Sequence, residues 1–239
     1  MKVVGISDIH GTLIDPKDMP EGDVLCICGD IMPTYIQSDT LESIAWLCRV
    51  FFKWIEELPY ARVFLIFGNH DFVGEYLRVD KNGNQRRGSR IVKKLLAPSK
   101  LVILDDSECI YGGKRFYGSS WCPDLQIWAY YADSATLTHK FAQIPAETDV
   151  LLTHCAPRVE AYGTVLQRKK YNWMTDYGCT ELTEAINAMK KSDRPKLHLF
   201  GHVHTGSHQP TEIDGVTYCN VSLKDEDYKE MYYPKVFEI

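Results

Sequence analysis

Leu197-His198-Leu199-Phe200-Gly201-His202-Val203-His204 reads as a short buried strand running into a turn that carries two alternate histidines. On extended chain, residues two apart point the same way, so His202 and His204 present their imidazoles to one side. Four earlier places repeat the plan. Val3 to Ile6 leads to Asp8-Ile9-His10, and Val24 to Cys28 leads to Gly29-Asp30. Val63 to Phe67 leads to Gly68-Asn69-His70-Asp71, and Val150 to Leu152 leads to Thr153-His154. Five apolar runs therefore read as strands that deliver Asp, Asn and His from their carboxyl ends. In open α/β sheets that edge is where ligands bind. Oxygen and imidazole donors suit hard to borderline divalent metals, and this many donors suits two ions better than one. Any one of these places alone would be ordinary turn chemistry. Their common position after a strand is what carries the reading.

Between the strands the pattern changes period. Leu41 to Glu57 carries Leu41, Ile44, Ala45, Leu47, Cys48, Phe51, Phe52 and Ile55 near helical spacing, which predicts a helix. Asp39 or Thr40 can cap its start, and Pro59 lies just past its end. Strand, helix, strand in this order predicts a parallel sheet. Shorter strands are expected around Leu101 to Leu104, Glu108 to Ile110 and Arg115 to Gly118, the last two joined by the hairpin-like turn Tyr111-Gly112-Gly113-Lys114. Lys81-Asn82-Gly83-Asn84 is a turn signal before a short helix over Ser89 to Leu96. Further helices are expected near Tyr131 to Ala142 and Thr180 to Lys190, and closing strands near Val216 to Val221 and Val236 to Glu238. No repeat, low-complexity tract or linker divides the sequence, so one domain over residues 1–239 is expected.

The composition excludes several classes. The 239 residues carry a net charge of -5, too mild and of the wrong sign for a protein that coats nucleic acid. No stretch is apolar for long enough to span a bilayer, and the first strand begins directly after Met1-Lys2, so no signal peptide is expected. A cytoplasmic protein with no membrane partner is expected. The eight cysteines form no CxxC pair, which argues against a structural zinc site. They read as small buried thiols. Cys26 and Cys28 sit at strand spacing and share one face. Cys155 adjoins His154; a nucleophilic role there is weighed below packing.

The ordered set Asp-x-His, Gly-Asp, Gly-Asn-His-Asp, His and Gly-His-x-His, from Asp8 to His204, resembles the signature of the calcineurin-like metallophosphoesterases. The resemblance implies an α/β fold of four layers, two mixed β-sheets face to face with helices outside. It implies two divalent or trivalent metal ions, such as manganese, iron or zinc. Carried over by position, Asp8, His10 and His204 would hold one ion, Asn69, His154 and His202 the other, and Asp30 would bridge them. His70 would act as a catalytic acid without binding metal, and Asp71 would orient it. The serine/threonine phosphatases of this family have Asp-Arg-Gly after Gly-Asp; here Ile31-Met32-Pro33 follows Asp30. Instead, Phe116 to Pro123 with Trp128-Ala129 looks like the Gly-Ser-x-Trp-x-Pro and Trp-Ala stretch of small metallophosphoesterase-domain proteins, a group related to class III cyclic-nucleotide phosphodiesterases. That group's Gly-Pro-Pro after the histidine is Cys155-Ala156-Pro157 here.

The chemistry needs these residue types. Two cations roughly 3.5–4 Å apart can clamp an in-line displacement at phosphorus and generate a hydroxide near neutral pH. The departing oxygen then needs a proton, a task for a histidine. A small phosphoester substrate is expected, with phosphodiesters favoured over phosphoproteins, phosphomonoesters also admitted, and cyclic nucleotides among the candidates. A nuclease on the same site is the less favoured alternative, since no further nucleic-acid-binding module is apparent. A metal-binding scaffold without catalysis would be expected to lack ligands, and none is lacking here. The basic runs Arg86, Arg87, Arg90, Lys93, Lys94 and Arg168-Lys169-Lys170 read first as solvated faces and second as a rim for an anionic substrate.

Overall fold

In the computed structural model the apolar runs assemble into two sheets. The structure describes residues 1–78, 97–123, 125–159, 177–229 and 232–239. The first sheet contains β1 (Lys2–Ile6), β2 (Val24–Cys28), β3 (Arg62–Ile66), β4 (Leu101–Ile103) and the C-terminal β11 (Lys235–Glu238). Its order is β11-β1-β2-β3-β4. β1 to β4 pair in parallel, and β11 lies antiparallel to β1. The second sheet contains β5 (Ser107–Tyr111), β6 (Lys114–Ser119), β7 (Val150–Thr153), β8 (Leu197–Phe200), β9 (Thr211–Ile213) and β10 (Val216–Asn220). Its order is β5-β6-β7-β8-β10-β9, with parallel pairs at its centre and an antiparallel strand at each edge. Both sheets are therefore mixed.

The two-residue period of a strand sorts the side chains into layers. Val24, Cys26 and Cys28 of β2, with Phe64 and Ile66 of β3, face Phe116, Val150, Leu152, Leu197 and Leu199 of the second sheet. Phe64 and Phe116 stack at 4.1 Å across this interface. The alternate residues Leu25, Ile27, Val63 and Leu65 face outward beneath helices. On the second sheet Leu151 and Phe200 do the same. Both faces are covered, which is why these strands read as unbroken apolar runs. Each such side chain, fully buried, contributes about 1.5–3 kcal/mol.

Helices cover the outer faces. α1 (Thr40–Trp46) and α2 (Phe52–Glu57) pack on the first sheet. They are separated by a π-helical turn over Leu47–Phe51, where one continuous α-helix was expected. The wider turn changes the phase of the apolar face, so Phe51, Phe52, Trp54 and Ile55 are all buried while Leu41 is 79 % exposed. Asp39 caps α1, accepting from the backbone N–H of Leu41 and Glu42. The short α3 (Phe72–Tyr76) and the three-residue β9 had no period long enough to predict them. On the second sheet lie α4 (Ser134–Phe141) and α5 (Thr180–Ala188). α4 starts later than Tyr131 because Asp133 caps it, and Tyr131 itself bridges to Cys122. The hairpin at Gly112-Gly113 closes β5 on β6 with φ of 57° and 74°, values glycine adopts freely. The basic runs Arg86 to Lys94 and Arg168 to Lys170, and the helix expected over Ser89 to Leu96, lie outside the described residues. Among the described residues no helix is long and apolar enough to cross a membrane.

Candidate metal centre

The two sheets meet at their carboxyl edges. Ser7, one residue past β1, bridges to Ser222 past β10. The Ser7 N–H donates to Val221 O at 2.8 Å, and the Ser7 hydroxyl donates to Cys28 O at 2.9 Å. This seam ties β1 and β2 to the second sheet and brings all five motifs to one place. The turns that carry them are sharp. Asp8, His10, Asp30 and His202 have φ of 54°, 43°, 53° and 67°, left-handed values that cost about 1–3 kcal/mol per L-residue. Four such turns gathered at one edge point to function. The glycines beside them make room: a Cβ on Gly68 would strike the Asp30 carboxylate, and one on Gly201 would strike Ser7 Oγ and the Asp8 carboxylate.

The side chains converge. Donor atoms of Asp8, His10 and His204 lie within 4.8 Å of one another, as do those of Asp8, Asp30 and His154. Asn69 Oδ1 sits 2.9 Å from both His154 Nε2 and His202 Nδ1. Asp30 Oδ2 is 3.3 Å from His154 Nε2 and 3.8 Å from His10 Nε2, between the two groups. Its other oxygen accepts the His70 backbone N–H at 2.8 Å. The Asp8 carboxylate accepts the His202 backbone N–H at 3.1 Å. A cavity of about 200 Å³ opens over Asp30, Asn69, His70, His202 and His204, with Trp128 and Tyr228 on its wall.

The hydrogen bonds test whether cations fit. His154 Nδ1 is 2.8 Å from Cys28 O, and His204 Nδ1 is 2.8 Å from Asp225 O. A carbonyl only accepts, so both Nδ1 atoms carry the proton. In a neutral ring, the Nε2 lone pair of His154 then faces Asn69 and Asp30 oxygens. That of His204 faces Asp8 Oδ1 at 3.2 Å. Lone pairs set against oxygens repel unless a proton or a cation stands between them. The arrangement in which a histidine gives its far N–H to a carbonyl is the usual outer support of a metal ligand. His10 adds to the case: both its ring nitrogens are buried with no hydrogen-bond partner among the described residues.

Charge states agree. Burial alone would raise the Asp8 carboxyl, but the hydrogen bond and charge of His204 hold it well below the usual range. Asp30 is held down in the same way by His154. Burial pushes the His10 imidazole down to about 4 and the His202 imidazole down to about 3. Burial would lower His154 too, but Asp30 draws it up to about 9. His10 and His202 are thus neutral donors beside ionised carboxylates, while in His154 a proton on Nε2 holds the place that a cation would take from it. The donor set fits bound metal ions.

His70 and Asp71 part company. The expectation that Asp71 orients His70 is corrected here. The Asp71 carboxylate accepts backbone N–H bonds from Ile31, Met32 and Gly68 at 2.8–3.2 Å. The group against His70 Nδ1 is Gln37 Oε1, at 2.6 Å. Gln37 lies in a loop with no strand before it, so nothing in the sequence marked it. His70 Nε2 is left 3.9 Å from Asp30 Oδ2, and Trp128 packs on its ring at 4.3 Å. Trp128 follows the aromatic stretch noted in the sequence, and the next residue, Ala129, donates its N–H to Asn69 O at 3.1 Å. Cys155 is fully buried in an apolar cluster with Cys122 and Cys179, and burial among thiols pushes its own thiol well up. That environment packs a thiol and does not expose a nucleophile.

The family profile of the calcineurin-like phosphoesterases matches residues 1–206. The chain belongs to that family. Human metallophosphoesterase domain-containing protein 1 is 29 % identical over 252 residues, spanning all of this chain and 71 % of the human protein. A Caenorhabditis elegans UPF0046 protein is 30 % identical over 243 residues, spanning all of this chain and 81 % of its own. Among solved structures, the phosphopantetheinyl hydrolase of Mycobacterium tuberculosis superposes with a TM-score of 0.51 at 13 % identity, covering 95 % of this chain and 90 % of that one. This last likeness speaks for the fold of the calcineurin-like phosphoesterase.

Proposed function

We propose that this calcineurin-like phosphoesterase is a metal-dependent phosphoester hydrolase that favours phosphodiesters. The observation that carries the reading is the pair His154 and His204, each donating Nδ1–H to a main-chain carbonyl and turning Nε2 on buried carboxylate or amide oxygens. Asp8, His10 and His204 would hold one cation. Asn69, His154 and His202 would hold the other, and Asp30 would be shared. Bound there, the cations supply Lewis acidity at the phosphoryl oxygens and acidify a water at neutral pH.

The chain's own groups do the rest. His70 gives its Nδ1 proton to Gln37, so its Nε2 faces the cavity and can hold the proton that the departing oxygen takes. Trp128 covers the other side of the ring and keeps bulk water from it. Asp30 accepts the His70 backbone N–H and so sets the distance between the acid and the shared carboxylate. The preference for diesters rests on Ile31-Met32-Pro33 in place of Asp-Arg-Gly, and on the aromatic stretch that ends at Trp128 beside His70. The expected outcome is Mn²⁺-dependent hydrolysis of an activated aryl phosphodiester, abolished by a chelator. Folded, metal-loaded protein with no turnover on any phosphoester would sink the proposal.

A further inference from the structure

We propose that Cys122 Sγ is an additional ligand at the metal position of His154 and His202, and that this sulfur biases the position toward zinc. The inference rests on the metal-centre reading above and goes beyond the donor set assigned there. Cys122 Sγ and one ring nitrogen each of His154 and His202 lie within 4.8 Å of one another, close enough to share one ion. The residue is fully buried. Its backbone is clamped on both sides, since its N–H donates to Tyr130 O at 2.9 Å and its carbonyl accepts from Ala132 N–H at 3.2 Å. The Cα that carries the sulfur is therefore held in place beside the two rings. Its hydrogen-bond contact to a backbone oxygen is a long one, 3.9 Å to Ser120 O.

Behind Cys122 lie two more thiols. Cys155 and Cys179 pack in the same buried cluster as Cys122. All three belong to the apolar layer under α4 and α5. Of the three, only Cys122 comes close to the two rings, and none of them lines the cavity. Asp8, His10 and His204 offer oxygen and nitrogen, but the position of His154 and His202 would combine oxygen, nitrogen and sulfur. Thiolate is a strong donor to zinc at about 2.3 Å and a poor match for manganese or magnesium, which prefer oxygen. The two positions would then differ in the ions they select.

The test is spectroscopic and does not depend on turnover. Protein stripped of metal is loaded with Co²⁺, bound metal is counted by elemental analysis, and the near-ultraviolet spectrum is recorded. A thiolate-to-cobalt charge-transfer band is expected in the wild type and in Cys155→Ser, and its loss in Cys122→Ser. Competition between Zn²⁺ and Mn²⁺ should show the zinc preference falling about ten- to a hundredfold in Cys122→Ser. Wild-type protein with cobalt at both positions and no such band overturns the inference and leaves the metal centre standing. A band that survives Cys122→Ser also overturns it. Folded wild type that takes up no cobalt overturns the metal centre and this inference together. Should Cys122→Ser fail to fold, Cys122→Ala takes its place, and a cobalt-loaded wild type without the band still overturns the inference.

Discussion

At Asp71 the two carboxylate oxygens accept N–H bonds from Ile31 and Met32 on one side and Gly68 on the other. The side chain is a clip between the turn after β2 and the turn after β3, which carry Asp30 and Asn69. Burial and the charge of Asp30 push its carboxyl up to about 7, and the three N–H groups pull the other way. Asp71→Asn turns an NH₂ group toward donors, so we expect a stability loss of about 1–3 kcal/mol, read by urea denaturation. The leaving-group dependence of turnover should not change. His70→Ala should behave in the opposite way. Stability and metal content should hold, and kcat/KM should fall by about 10²–10⁴. The loss should be least for nitrophenolate esters, which leave without a proton, and greatest for alkyl esters. Gln37→Ala should give a weaker form of the same pattern, because it removes only the partner of Nδ1. A uniform loss across graded leaving groups would show that His70 positions the substrate instead.

On the scale of elements, the loop that carries Gln37 hangs from the start of α1. Asp39 caps that helix with bonds of 3.0 Å to the N–H groups of Leu41 and Glu42. Its own N–H donates to Ile36 O at 2.9 Å, and the buried Ser43 hydroxyl donates to the same carbonyl at 3.0 Å. The helix N-terminus and the Gln37 loop therefore order each other. Asp39→Ala should cost about 0.5–2 kcal/mol, the usual worth of an N-cap. It should also lower turnover in the manner of Gln37→Ala while leaving metal content unchanged. Thermal unfolding and kcat/KM measured together check this. Normal turnover alongside the stability loss would mean that the loop holds its place without the cap.

On the scale of the whole molecule, stability should depend on pH through a histidine outside the metal centre. His198 on β8 is fully buried between the second sheet and its helices, near Phe200 and Tyr218. The Thr153 hydroxyl donates to Cys155 O at 2.7 Å, so His198 Nε2 donates its proton to Thr153 Oγ1 at 2.8 Å and the ring is neutral. Burial pushes the imidazole from 6.5 down to about 3. The unfolded chain therefore binds a proton that the folded one refuses. This contribution is full above pH 6.5 and is lost as pH falls through the window down to about 3. The slope is about 1.4 kcal/mol per pH unit. Denaturation midpoints of chelated wild type and His198→Gln across that window should differ by this slope; parallel curves would refute it. The sequence by itself determined the five strands that precede the donors, the glycine turns and the donors, because a strand buried on both faces must be continuously apolar and a metal centre must carry Asp, Asn and His. It also determined that these donors follow strands. Only the tertiary structure decided who partners whom. Asp71 and His70 are neighbours in the chain, but a sharp turn sends one to three backbone amides and the other to Gln37, 33 positions earlier. Cys122, Cys155 and Cys179 share no spacing signal, and they gather in one buried layer because β6, β7 and the approach to α5 pack there. Such contacts depend on turn geometry and layer packing, which no local pattern of residues encodes.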